Sequence, residues 1–174
     1  MSPILALTIW PEWAWAICHL DKRVENRGER FARQIDRRVG DGWLAIHAGK
    51  SIMGRPGLPS MREGLGYVEY MAREAGWRCI AEDYDAGRYR LVRDPGEDVL
   101  LTPERVVTSA IVALAQISDV LEPGAQAPWK LTFSAALALS PVLILPEPIA
   151  CKGKQGLWTP TSDIQERLRA ALEK

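Results

Sequence analysis

The chain has 174 residues, which is the usual size of one domain with its own hydrophobic core. Its 22 basic residues balance its 22 acidic ones, so net charge gives no support to a histone-like polyanion binder. The charges are nevertheless segregated along the chain. Residues 21–55 carry nine Lys or Arg against five Asp or Glu, whereas residues 82–104 carry seven acids against three arginines.

The three cysteines are odd in number, lie far apart and form no CxxC pair, which argues against a disulfide framework and a zinc site. The metal-binding spacings H-x-E and H-x-x-x-H do not occur, so we expect no metal and no other cofactor. The longest apolar stretch, residues 131–149, is interrupted by serines and prolines, and the N-terminus lacks a basic signal region. We expect a cytoplasmic protein without a membrane partner.

The first elements follow from short apolar runs. Residues 4–9, "ILALTI", predict a buried strand. Pro11 and Glu12 suit the first turn of a helix, which should run to about His19. Residues 42–50, "GWLAIHAGK", predict a second core strand, because their apolar centre is bounded by glycines.

Further along, glycines and prolines predict a loop over residues 54–59. Ser60 and Glu63 have the spacing of a capping box, so a helix should begin there and stop at Gly76. Residues 82–99 are polar and rich in turn formers, which is typical of a solvated excursion.

The C-terminal half predicts mainly strands. Residues 106–121 fit a strand or a helix by periodicity, and their β-branched content favours a strand. Residues 128–139 and 142–149 could add strands, and a last helix should start at Ser162. Strands and helices do not alternate regularly, and no glycine fingerprint follows the first strand. A doubly wound nucleotide-binding fold is therefore excluded in favour of an α+β fold.

The segment "LDKRVENRG", residues 20–28, gathers charges beside an aromatic run. If it is extended, Arg23, Glu25 and Arg27 share one face, while Lys22 and Val24 lie on the other. One interpretation is a solvated strand edge whose ion pairs add little stability. The other is a site in which Glu25 holds an arginine in position for an anion and Lys22 reaches the same cleft.

Three motifs in order carry a family resemblance: residues 6–28, residues 42–50 and residues 148–158. Together they resemble the ASCH domain (activating signal cointegrator homology), a branch of the PUA-like superfamily of small β-barrels. The family pattern G-x-K-x-x-E-x-R is met at Lys22, Glu25 and Arg27, with Leu20 in place of the glycine. The resemblance makes residues 1–174 a single domain, with a polar insertion at about 82–99.

The resemblance implies an α+β fold, a small PUA-like barrel of five or six strands with two or three flanking helices. It also implies a cleft beside the barrel that accepts nucleic acid or a nucleobase. Some small members are similar to amidohydrolases of N-acetylated cytidine, and others have been proposed as ribonucleases. Fold alone does not choose among these activities.

The loop "CKGKQGLW", residues 151–158, has a basic character of its own. Its glycines permit tight turns, while Lys152 and Lys154 flank them with positive charge next to Gln155. This composition fits a phosphate-facing loop, or else a barrel turn with ordinary surface lysines.

Two further positions complete the candidate site. His47 and Lys50 end the second core strand, but a histidine in an apolar run is more often a core residue than an acid or base. Trp13 falls on the inferred buried stripe of the first helix, which leaves Trp15 as the tryptophan able to stack on a base.

We therefore expect a protein that binds nucleic acid, RNA rather than DNA, or a modified nucleoside. The alternative is an enzyme, with Lys22 and Glu25 as catalytic residues. A metal-independent ribonuclease would use Lys22 or Arg27 to stabilise the phosphorane. An amidohydrolase is the weaker alternative, because no threonine follows the lysine as it does in the hydrolase-like relatives. The expected binding residues are Trp15, Lys22, Arg23, Glu25, Arg27, Lys50, Lys152, Lys154 and Gln155.

Overall fold

The computed structural model describes residues 2–50 and 60–173. Four α-helices lie within these ranges: α1 (Pro11–His19), α2 (Glu29–Val39), α3 (Met61–Glu74) and α4 (Ser162–Leu172). The first five strands are β1 (Leu5–Ile9), β2 (Val24–Arg27), β3 (Leu44–Ala48), β4 (Arg78–Asp83) and β5 (Arg88–Arg93). They are followed by β6 (Glu97–Leu101), β7 (Ala110–Leu121), β8 (Ala135–Ala150) and β9 (Leu157–Trp158), with a 3-10 turn at Pro103–Arg105.

Six strands form one curled sheet, a half-barrel, in the order β2-β8-β7-β3-β1-β9. Of the neighbouring strands in this sheet, β1 and β3 run parallel, and the other described pairs are antiparallel. The fold is thus α+β and barrel-like, as the sequence indicates, with four described helices rather than two or three. None of the described helices is both long and apolar enough to cross a membrane.

The parallel pair determines where the site lies. Because β1 and β3 run in the same direction, the residues that follow them emerge side by side, and the Gly49 N–H donates to the Ile9 carbonyl at 2.9 Å. Strand β9 runs antiparallel to β1, so the residues that precede it reach the same edge, where the Thr8 N–H donates to the Gly156 carbonyl at 3.1 Å. Three segments far apart in sequence therefore meet at one end of the half-barrel.

The predicted elements are largely confirmed. Strands β1 and β3 and helices α1, α3 and α4 occur where expected, and the capping box of Ser60 and Glu63 is formed. The ambiguous stretch 106–121 contains strand β7, and one long strand, β8, replaces the two expected over residues 128–149. The predicted loop over residues 54–59 lies outside the described residues.

Two regions differ from the expectation. Residues 82–99 belong to a separate three-stranded antiparallel sheet, β4-β5-β6, and Tyr89 and Leu91 are buried there. The mainly exposed surface of this sheet explains its polar sequence. Helix α2 was not expected at all. It packs Ala32 and Ile35 into the core while its other positions are rich in exposed arginines.

Candidate functional site

The residues of the charged motif line a small cavity between α1, α3 and β2, which we call the inner pocket. Its volume is about 200 Å³. The lining consists of Trp10, Trp13, Lys22, Glu25, Asn26, Arg27, Tyr67, Met71 and Leu131. Aromatic walls thus surround a charged floor.

Lys22 is placed by the way α1 ends. Leu20 has a φ of −118°, which any residue can adopt. The left-handed turn falls instead on Asp21, with a φ of 55°. The chain then reverses, and the Lys22 N–H donates to the Ala16 carbonyl at 3.3 Å. The side chain of Lys22 is consequently directed inward, and the residue is only 1% exposed.

Glu25 joins the two cations of the inner pocket. Its Oε2 accepts a hydrogen bond from Lys22 Nζ at 2.9 Å, and its Oε1 lies 3.1 Å from an Arg27 terminal nitrogen. Lys22 Nζ also donates to the Val24 carbonyl and lies 5.6 Å from the centroid of the Trp13 ring. The prediction that Lys22 and Glu25 lie on opposite faces is wrong, because the strand begins only at Val24.

Arg23 does not line the inner pocket. One of its terminal nitrogens donates to the Ile17 carbonyl at 3.0 Å, and the other lies 2.8 Å from Asp21. A cation at this position satisfies the Ile17 carbonyl near the C-terminal end of α1 and complements the helix dipole. Arg23 therefore lies outside the inner pocket and caps α1, while its expected part in binding stays a prediction.

The predicted exposure of Trp15 is also wrong. Trp15 is 5% exposed and belongs to the core cluster that α1 shares with α3, where its ring lies 4.7 Å from that of His19. Helix α1 is covered by the sheet on one side and by α3 on another, so a single inward stripe does not describe it. Trp13 and the 44% exposed Trp10 line the inner pocket instead.

A second cavity, the outer groove, adjoins the inner pocket and has a volume of about 530 Å³. Trp10 and Arg27 line both cavities, so the two are joined. The other residues of the outer groove are Thr8, Ile9, Phe31, Gly49, Lys50, Gln155 and Gly156. Lys50 and Gln155 are thereby brought to the charged motif, as the sequence suggests.

Lys152 and Lys154 are exposed and line neither cavity. The main chain of Lys154 contacts the groove residue Thr8, whose hydroxyl donates a hydrogen bond to the Lys154 carbonyl at 2.6 Å. The loop of residues 151–156 is thus tied to the end of β1 by its backbone, whereas its lysine side chains remain free to solvent.

His47 contacts both the end of β1 and the loop of residues 151–156. Its Nδ1 lies 3.2 Å from the Thr8 hydroxyl oxygen and its Nε2 lies 3.2 Å from the Cys151 carbonyl. Burial lowers the pKa of His47, although the Cys151 carbonyl acts in the opposite direction. Gly153 lies directly on the imidazole ring. His47 is therefore a core residue that supports the groove wall, in agreement with the structural interpretation of the sequence.

The sequence did not predict several site residues, including Asn26 and Tyr67. Asn26 could have been recognised, because it lies within the charged motif. Its side-chain N–H donates to the Trp129 carbonyl at 2.8 Å, and its Oδ1 accepts from the Leu131 N–H at 2.8 Å. Asn26 thereby fixes the loop that precedes β8. Tyr67 lies on an ordinary amphipathic helix, and nothing in its local sequence marks it as a wall of the inner pocket.

Within the described residues, one group of side chains away from the two cavities has the spacing to hold a metal ion. The possible ligand atoms of Glu69, Cys79 and Glu82 lie within 4.8 Å of one another. Arg73 pairs with both glutamates, at 3.1 Å in the case of Glu82, and so already supplies positive charge to this cluster.

At the charged motif, Arg27 Nε is a buried donor without a hydrogen-bond partner in the described part of the chain.

A scan against protein-family models finds no match for this chain. A search of curated proteins finds none either. What the site does must therefore be argued from its own geometry.

The shared carboxylate predicts an asymmetric response to mutation. Glu25→Gln leaves the buried Lys22 ammonium without its counter-charge and should cost about 3 kcal/mol of unfolding free energy. Lys22→Met should cost less, because Arg27 still neutralises Glu25 and the methionine fills a similar volume. Urea unfolding followed by tryptophan fluorescence measures both. An equal or larger loss in Lys22→Met would contradict the shared-carboxylate arrangement.

Gly153 gives a second test, of the groove wall. A Cβ at Gly153 would lie 2.2 Å from His47 Cε1, so Gly153→Ser should lower the unfolding free energy by roughly 1–3 kcal/mol. Gly28→Ser is the matched control, since a Cβ there meets no atom within 4 Å. Calorimetric melting should show a clear loss only in the first variant. Adding Gly153→Ser to His47→Ala should then cost little more, because the obstructing ring is gone.

Proposed function

We propose that this protein binds nucleic acid, single-stranded RNA or a modified nucleobase in particular, through the cleft formed by the inner pocket and the outer groove. One observation carries the proposal: Trp10 and Arg27 line both cavities, so an aromatic pocket opens directly into a cationic groove. A PUA-like barrel of the ASCH type is part of the same proposal, since the half-barrel and the Lys22–Glu25–Arg27 motif agree with it.

The inner pocket has the character of a base-binding site. Proteins recognise single-stranded RNA by stacking splayed bases on aromatic rings and by hydrogen bonding to their edges. Trp10, Trp13 and Tyr67 supply the rings. The floor supplies polar groups that are already held in place by Glu25, so little ordering cost remains to be met on binding.

The outer groove has the character of a phosphate site. Arg27 and Lys50 are its charged residues, and no carboxylate occurs in its described lining. Arginine forms the stronger contact, because its planar guanidinium can donate two parallel hydrogen bonds to phosphate oxygens. A nucleotide would then bind with its base inward and its phosphate in the groove.

A catalytic role is the second candidate, and one observation favours it. Lys22 is desolvated and lies 2.9 Å from the Glu25 carboxylate, as an amidohydrolase of N-acetylated cytidine would require of its lysine and proton shuttle. A metal-independent ribonuclease would instead stabilise the phosphorane with Arg27, since Lys22 is enclosed. Both reactions would take place in the same cleft.

Binding can be measured by fluorescence anisotropy with labelled single-stranded RNA at 50 and 200 mM salt. Arg27→Lys should weaken affinity roughly 10-fold, because an ammonium cannot reproduce the guanidinium contact. Lys50→Ala should weaken it less and reduce the slope of log K against log salt by about one. Arg38→Ala, an exposed arginine of α2 outside the cleft, is the matched control and should bind like the parent.

The same samples separate binding from catalysis. Labelled RNA and N-acetylated cytidine are incubated with the protein in EDTA and analysed by chromatography, and the binding proposal predicts both unchanged after hours. A reaction product that forms with the parent protein but not with Lys22→Met would support the catalytic candidate. Salt-independent affinity, or equal affinity in Arg27→Lys and Arg38→Ala, would contradict the proposed cleft.

A further inference from the structure

A third cavity, which we call the aromatic trough, lies between α3 and the loop that precedes β8. Its volume is about 620 Å³. Three aromatic residues in it are unusually exposed: Tyr67 at 45%, Tyr70 at 54% and Phe133 at 81%. The rest of its lining is Met71, Glu74 and residues 126–132. Large exposed aromatic patches on soluble domains commonly mark interaction sites.

The aromatic trough is continuous with the inner pocket. Tyr67, Met71 and Leu131 line both cavities. A line of rings also crosses from one to the other: Trp13 and Tyr67 meet edge to face, with centroids 5.6 Å apart, and Tyr67 and Tyr70 are nearly parallel, with centroids 6.2 Å apart. A ligand that fills the inner pocket could therefore extend over aromatic surface without leaving contact with the protein.

The loop that presents Phe133 is held by hydrogen bonds within itself and to Asn26 of β2. Asn26 fixes its middle, as described above, and the 9% exposed Lys130 donates through Nζ to the Leu131 carbonyl at 3.2 Å and to the Ser134 carbonyl at 2.8 Å. The Gly124 N–H donates to the Thr132 carbonyl at 2.7 Å. Phe133 is thus presented to solvent by an ordered loop, which suits a surface prepared for a partner.

The charges of the trough differ from those of the outer groove. Lys130 directs its ammonium into its own loop, so Glu74 is the exposed charged residue of the described lining. Such a surface is unfavourable for phosphate. Its exposed rings can still take the neutral faces of bases by stacking, with the phosphates left in solvent.

We infer that the aromatic trough binds the bases that flank the one held in the inner pocket, so that the natural ligand is a single-stranded oligonucleotide rather than a free nucleoside. The inference rests on the proposed function and deepens it by naming the ligand class. Tyr70 and Phe133 are the stacking residues, and Tyr67 contributes to both cavities.

The inference is tested by affinity as a function of ligand length. Competition anisotropy compares a mononucleotide with di-, tri- and pentanucleotides of the same base, on the parent protein, Tyr70→Ala and Phe133→Ala. The affinity of the parent protein should be at least about 5-fold higher for the trinucleotide than for the mononucleotide, because each stacked base adds binding free energy. Both variants should lose most of that gain and keep the parent affinity for the mononucleotide.

Two controls make the result specific. Tyr84→Ala removes a tyrosine that is 57% exposed, about as much as Tyr70, and that lies between β4 and β5 outside the trough. This variant should bind every ligand like the parent. Phe133→Trp keeps a stacking ring and should retain the length dependence. Melting curves should be recorded first to check that each variant is folded.

The outcomes separate the two proposals. Equal affinity for all lengths, with the mononucleotide still bound and weakened by Arg27→Lys, would overturn the trough inference and leave the proposed function standing. No binding of any nucleotide would overturn both. A proline-rich peptide that binds the parent but not Phe133→Ala, without any length dependence for nucleotides, would replace the inference with a peptide-docking surface.

Discussion

The sharing of the Glu25 carboxylate between Lys22 and Arg27 is the interaction on which the cleft depends. A buried ammonium is costly unless it is paired, and Glu25 pairs Lys22 at 2.9 Å while its other oxygen lies 3.1 Å from Arg27. Strand β2 fixes the carboxylate by pairing Glu25 with Leu137 of β8. One acidic residue thus stabilises the floor of the inner pocket and orients the guanidinium that faces the outer groove.

The half-barrel brings the rest of the cleft to this pair. Parallel pairing of β1 and β3 places Trp10 beside Gly49, and antiparallel pairing of β9 adds Gly156 at the same edge. Arg27 reaches across to this edge, where it lies 3.4 Å from the Thr8 carbonyl. The cleft is therefore built from backbone positions set by strand pairing, with few side chains responsible for its charge.

Short sequence patterns predicted those features of the structure that depend on neighbouring residues in the chain. The capping box at Ser60 identified α3, and the spacing of Lys22, Glu25 and Arg27 identified the charged motif. Helix α2 was missed because its few apolar positions are separated by arginines, although Ile35 is fully buried. The choice of Trp15 failed because helical periodicity cannot show that α1 is covered on two sides. Contacts between distant segments, such as the walls of the inner pocket, depend on tertiary packing that no short window of sequence contains.

The central claim is that nucleic acid binds in the cleft that Trp10 and Arg27 connect. It is tested most directly by recording ¹H–¹⁵N spectra of the tryptophan indoles while a single-stranded RNA oligonucleotide is added. The indole signals of Trp10 and Trp13 should shift until the protein is saturated. That of Trp77, which is buried outside the cleft and the aromatic trough, should not. Unchanged Trp10 and Trp13 signals at saturating oligonucleotide would contradict the account.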